Sequence, residues 1–184
     1  KWFINTGTFW QHFNNEIYNP ANLYAASKQA FQAISKYYIN RSDIKFITLE
    51  LSDTYGPGDT RKKIINLLMN TYRTGELLKM SAGDQLMDIS YIDDVVDGFS
   101  SLIEQIELSN IENGGCFSLY AKERKSLKEI IFLFETIVNE KLNISLGSLP
   151  YRKYEIMSPW DKGAQIPNFD AKVSIQDGIK KMLS

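Results

Sequence analysis

Tyr24-Ala25-Ala26-Ser27-Lys28 stands inside a helical pattern that separates two strand-like runs, residues 2–6 and 45–51. Asn19 is placed to cap that helix, Pro20 suits its first position, and Ala25, Ala26, Ala30 and Ala33 favour its interior. A helix is expected over 20–38, with Leu23, Ala26, Ala30, Ile34 and Tyr37 as its buried stripe. Tyr24 and Lys28 are four apart and so share one helix face, a turn from each other. A free phenol titrates near 10, and moving it to neutrality takes a shift of roughly three units, about 4 kcal/mol. An ammonium about 4 Å away at an effective dielectric of about 20 supplies that much. The pair has the makings of an acid/base device, in which Lys28 favours the phenolate and Tyr24 moves the proton. One Tyr-x-x-x-Lys in a chain with 10 tyrosines is also what chance supplies, so the flanking sequence has to decide.

Outward from this unit the alternation continues. Residues 2–6 read as a buried strand that delivers Thr6 and Thr8 to its C-terminal end, and 11–18 read as a loop. After the strand at 45–51 come a turn at 55–59, a helix over 60–74 stopped by Gly75, and short strands at 77–80 and 87–91. Asp93 and Asp94 open a further helix, 116–120 reads as a strand, and Ser126-Leu127-Lys128-Glu129 is a capping box. Ser174 starts the last helix in the same way. Residues 143–172 carry three of the five prolines and little periodicity. The pattern predicts an α/β fold with a parallel sheet.

Composition narrows the function. The 184 residues, 43% hydrophobic and 23% charged, suit one globular domain with a core. A net charge of −1 gives no reason to expect a nucleic acid or an anionic membrane as partner. Cys116 is the only cysteine, which excludes an internal disulfide and points to a reducing, cytoplasmic setting. No apolar run approaches the roughly 20 residues of a membrane span. His12, the only histidine, is expected to be a loop residue with no second metal ligand near it, and no metal site is predicted. With neither a signal-peptide pattern nor an initiator Met, the chain reads as a piece of a longer protein.

Four motifs follow one another in order: Asn5-Thr6-Gly7-Thr8, Tyr24-x-x-x-Lys28, Thr54-Tyr55-Gly56-Pro57-Gly58-Asp59 and Asp88-Ile89-Ser90-Tyr91-Ile92-Asp93-Asp94-Val95. Together they resemble the extended short-chain dehydrogenase/reductases of the NAD-dependent epimerase/dehydratase type. Asn14-Asn15, Tyr18-Asn19-Pro20 and Gly58-Asp59-Thr60-Arg61 are similar to the CDP-3,6-dideoxyhexose synthases of abequose and paratose type, nucleotide-sugar 4-ketoreductases of bacterial O-antigen synthesis. The resemblance implies the C-terminal part of a Rossmann-like, doubly wound parallel sheet (1–57 and 88–125) with a small substrate-binding subdomain (58–87 and 126–184). It implies Tyr24 as catalytic acid/base, Lys28 as its partner and holder of the nicotinamide ribose, and Thr6 as the hydroxyl that orients the reacting oxygen at C4 of the sugar. Leu51 falls beside the nicotinamide, although a plain strand residue fits that position equally well. Thr8 falls at a second sugar contact and Asp53 where an Asn of the family often meets the sugar, with Arg61 and Arg152 as candidates for binding the substrate's diphosphate. The implied cofactor is NAD or NADP, with NADPH favoured for a reductase. The implied partner is a nucleotide sugar, and a homodimer of the full-length enzyme is left open.

Departures matter as much. Glu50 and Met87 stand where the family commonly has Arg, and Asp53 where it has Asn. Met87 cannot grip a diphosphate, so Arg61, Lys62, Lys63 or Arg152 would have to, and a solvated cluster is the simpler reading of 61–63. No Gly-x-x-Gly-x-x-Gly follows a strand, so the turn that holds a dinucleotide pyrophosphate is missing from this chain. Three readings result. One is part of an NAD(P)-dependent reductase of a CDP-4-keto-3,6-dideoxyhexose, inactive alone. Another is an epimerase or dehydratase of the same fold, with Gly7-Thr8 arguing against dehydratase. The third is a non-catalytic remnant.

Overall fold

A computed structural model describes residues 1–184. In chain order its elements are β1 (Trp2–Thr8), α1 (Leu23–Arg41), β2 (Lys45–Leu51), β3 (Asp53–Tyr55), α2 (Ile64–Thr74), β4 (Leu78–Lys79), β5 (Leu86–Tyr91), α3 (Ile92–Glu107), β6 (Cys116–Leu119), β7 (Arg124–Ser126), α4 (Leu127–Val138), β8 (Ile144–Ser145) and α5 (Ile175–Leu183). β1, β2 and β6 form a parallel sheet in that order, which leaves β1 at its edge. β3 pairs parallel with β5, β5 antiparallel with β7, and β4 parallel with β8. This is an α/β fold, a parallel three-stranded sheet with additional short strands beside it.

The main sheet has two unlike faces because side chains alternate along each strand. Ile47, Leu49 and Leu119 point one way and pack with Leu102 of α3 in an apolar core. Thr48, Glu50 and Ser118 are equally buried but face the helix α1 side, where Gln29, Gln32 and Ser35 stand opposite. A second, larger core joins α2, α4 and α5 to β3 and β5 through Leu68, Ile89, Ile130, Phe134 and Ile179. Each such aliphatic or aromatic side chain contributes about 1.5–3 kcal/mol by leaving water. No helix is long and apolar enough to cross a membrane.

Several elements differ from the sequence expectation. α1 starts at Leu23, capped by Asn22, whose side chain accepts from the Ala25 N–H at 2.9 Å. Asn19 is unavailable as a cap because its backbone pairs with Gln11 and Phe13. The expected stripe of α1 faces outward: Leu23 is 85% exposed and Tyr37 65%. The inward face is instead Ala25 and Ser35 flanked by half-buried Lys28, Gln29 and Gln32. α2 begins four residues later than expected, at Ile64, because Arg61 is held in the preceding turn. β3, β7 and β8 are two or three residues each, too short for a periodic signal. The Gly75 stop and the Ser126 capping box are both present, Gly75 with φ +70, the left-handed region that favours glycine.

Candidate active site

The C-terminal end of β1 carries Thr6, Gly7 and Thr8, and the first turns of α1 lie against it. The Lys28 ammonium donates to the Thr6 carbonyl at 3.0 Å and lies 5.8 Å from the centroid of the Tyr24 ring. The fold therefore gathers Thr6, Tyr24 and Lys28 around one ammonium, with the Tyr24 ring open to solvent. Leu51 ends β2 directly opposite Thr8 in the parallel register.

Thr8 is buried, and its hydroxyl accepts from the Trp10 N–H at 3.4 Å, capping a short 3-10 turn at Phe9–Gln11. The Gln11 side chain closes the same box by accepting from the Thr8 N–H at 2.9 Å. Gly7 is required here: a Cβ on it would come within 2.8 Å of Glu50 Cγ. His12 is no ordinary loop histidine. It is buried, stacks on Trp160 at 4.0 Å between ring centroids, and its Nε2 lies 3.1 Å from the Glu50 carboxylate. The Ser118 hydroxyl also donates to Glu50, at 3.3 Å. No group of three potential ligands converges where a metal could sit.

A cleft of about 310 Å³ opens beside this strand end. Asp53, Lys62, Lys63, Met87 and Arg152 line it, together with Trp10. Asp53 and Arg152 are thus brought together, whereas Thr6, Tyr24, Lys28 and Leu51 lie outside the walls of this cleft. Lys63 forms an ion pair with Asp53, while the Arg152 guanidinium has no carboxylate partner. Arg61 lies outside the cleft. Its guanidinium grips Asp59 through two contacts of 2.8 Å and reaches the Thr54 carbonyl and hydroxyl. The Arg61 hydrogen bond holds the Asp59 carboxyl well below the usual range, at about 2. In return, Asp59 raises Arg61 further. Burial and the neighbouring Glu50 push the Cys116 thiol up to about 12, although part of the residue is exposed.

Trp10 and Tyr154 in the cleft wall were not anticipated, since neither stands in a periodic segment. Asp88, read only as a motif residue, and Asp94, read also as opening a helix, have structural partners. Asp88 accepts from Arg124 at 2.8 Å across β5 and β7, and Asp94 accepts the backbone N–H groups of Lys172 and Val173.

The fold defines the class: an α/β protein with a Rossmann-type fold. UDP-glucuronic acid 4-epimerase from Bacillus cereus, solved with UDP-glucuronic acid and NAD, superposes with a TM-score of 0.84 at 21% identity, over 99% of this chain and 60% of that one. The chain belongs to the NAD dependent epimerase/dehydratase family, whose profile matches residues 10–113. Among curated relatives it is 28% identical to CDP-abequose synthase of Yersinia pseudotuberculosis, over 96% of this chain and 60% of the relative. It is 30% identical to CDP-abequose synthase of Salmonella muenchen, over 100% and 62%. It is also 23% identical to UDP-glucuronate 4-epimerase of Thermodesulfobacterium geofontis, over 94% and 53%. The chain spans about three fifths of the length of the first of these relatives.

Proposed function

We propose that this chain carries the acid/base and sugar-binding part of a nicotinamide-dependent enzyme acting at C4 of a nucleotide-activated sugar. The reaction we assign is reduction of a CDP-4-keto-3,6-dideoxyhexose. The observation that carries the reading is the Lys28 ammonium, set between the Tyr24 ring and the Thr6 carbonyl. A positive charge there favours the phenolate left when Tyr24 gives its proton to the oxygen developing at C4. Thr6 supplies a hydroxyl to orient that oxygen.

Residues present in the chain suit one end of NAD(P). Lys28 has two ammonium hydrogens beyond the one on Thr6, enough to meet ribose hydroxyls, and Leu51 offers an apolar edge beside the ring. Bound there, the nicotinamide would supply the hydride. The glycine turn for the pyrophosphate would have to come from chain preceding Lys1, pairing along the open edge of β1.

The substrate diphosphate would meet Lys62 and the unpaired Arg152 in the cleft, in place of the arginine that Met87 lacks. Lys63 neutralises Asp53, which removes a charge that would otherwise repel the phosphates. The relatives named CDP-abequose synthase support the CDP-sugar reading; O-antigen synthesis in the cytoplasm is the setting we assign to it. The test is full-length protein with a CDP-4-keto-3,6-dideoxyhexose and NADPH. Stoichiometric loss of reduced-nicotinamide absorbance supports reduction. Interconversion of a UDP-hexose without net cofactor change would instead make it an epimerase.

A further inference from the structure

Gln11 is fully buried at the start of the chain segment after β1 and uses every polar atom of its side chain. Its Oε1 accepts from the Thr8 N–H at 2.9 Å, which closes the 3-10 turn. Its Nε2 donates to Gln29 Oε1 at 3.0 Å and to Gln32 Oε1 at 2.7 Å, both on the inward face of α1. Lys28 adjoins Gln29, one turn before Gln32, and makes the other tie, to the Thr6 carbonyl. One carboxamide therefore joins the strand end that presents Thr6 and Thr8 to the helix that presents Tyr24 and Lys28.

The surroundings call for such a joint. Where a helix lies on a sheet, apolar interdigitation ordinarily fixes its position. Near Gln11 the facing surfaces are polar, with Gln29, Gln32 and Ser35 of α1 opposite Thr48, Glu50 and Ser118, and a cavity of about 740 Å³ lies there. The aromatic contacts of α1 with the sheet, Phe31 on Phe3 and Tyr38 on Phe46, lie further along the helix, so at the end that carries Tyr24 and Lys28 directional hydrogen bonds help to set the register.

We propose that Gln11 is a positioning residue for the acid/base pair, holding α1 at the register that puts Lys28 and Tyr24 against Thr6. The inference rests on Tyr24 and Lys28 being that pair. It does not make Gln11 catalytic, since its side chain reaches neither Tyr24 nor Lys28.

The test uses the full-length enzyme with Gln29→Ala and Gln32→Ala combined. This change severs the helix tie, keeps the Thr8 cap, and places good helix formers at both positions. A displacement approaching 1 Å at a reacting group costs up to about 100-fold in rate. The expected result is a kcat about 10- to 100-fold lower, KM for the sugar nucleotide within about twofold, and a displaced basic limb of the pH–rate profile. Either single change leaves one of the two bonds and should restore most of kcat. Gln11→Met, which removes both legs at similar volume, should lose activity and melt earlier. A double variant with wild-type kcat and pH profile overturns the proposal, as does a loss confined to thermal stability. Wild-type turnover in Tyr24→Phe would instead overturn the reading on which the proposal rests.

Discussion

In the proposed chemistry Tyr24 is the acid/base, and its exposed ring stands one helix turn from Lys28. Tyr24→Phe in the full-length enzyme should lower kcat by about 10²- to 10⁴-fold, the usual cost of losing a general acid. Melting temperature and cofactor binding should stay near wild type, because only a solvent-facing hydroxyl is removed. Steady-state kinetics beside a thermal melt checks both halves. A second prediction concerns the turn that carries Arg61. Asp59 titrates at about 2 in the fold because Arg61 donates to it, against about 4 for a free carboxylate. A carboxylate depressed by folding adds stability above its unfolded value and loses it as pH falls through the folded one. Asp59→Asn should therefore melt slightly below wild type at neutral pH. That gap should hold down to about pH 4 and close as pH approaches 2. A melting series from pH 7 to 2 reads it directly, and a gap that widened with acid would contradict the assigned pairing.

At the scale of elements, α1 shows how a helix can be read correctly in kind and wrongly in detail. Ala-rich composition and the Asn-Pro opening both mark a helix, but two asparagines three residues apart compete for its start. Pairing of the Asn19 backbone with the Gln11–Phe13 segment resolves the contest in favour of Asn22. Asn22→Ala should cost about 1 kcal/mol, the typical value of a lost cap, or about 2–4 °C in melting temperature for a chain of this size. Asn19→Ala should leave the cap intact and cost clearly less, since its backbone bonds survive the change. The outward turn of Leu23, Ile34 and Tyr37 has a different origin. Apolar residues at helical spacing mark a stripe that will be covered, but not whether the cover is this chain's own sheet. Here the sheet meets Phe31 and Tyr38 together with Lys28, Gln29 and Gln32, polar side chains with polar partners.

At the scale of the whole molecule, β1 ends the sheet with one side unpaired, and Phe3 is 45% exposed on it. An unpaired strand of this kind is a template for association. The 184-residue chain by itself should bind NADPH too weakly to register in calorimetry at micromolar concentration. It should also show concentration-dependent association by light scattering. A clean monomer that bound NADPH at micromolar affinity would refute both. The sequence by itself determined the α/β class, β2 to the residue, the Gly75 and Ser126 boundaries and the Tyr24–Lys28 spacing. Each of these is local, written in periodicity, capping chemistry or the pitch of a helix. Only the tertiary structure decided that His12 and Glu50 are buried together, that Asp53 and Arg152 share a cleft, and that Gln11 reaches Gln29 and Gln32. Those partners lie 18 to 99 residues apart in the chain, and a polar side chain carries no mark of which distant group will satisfy it. Burial creates that demand, and burial exists only once the sheet and its helices have packed.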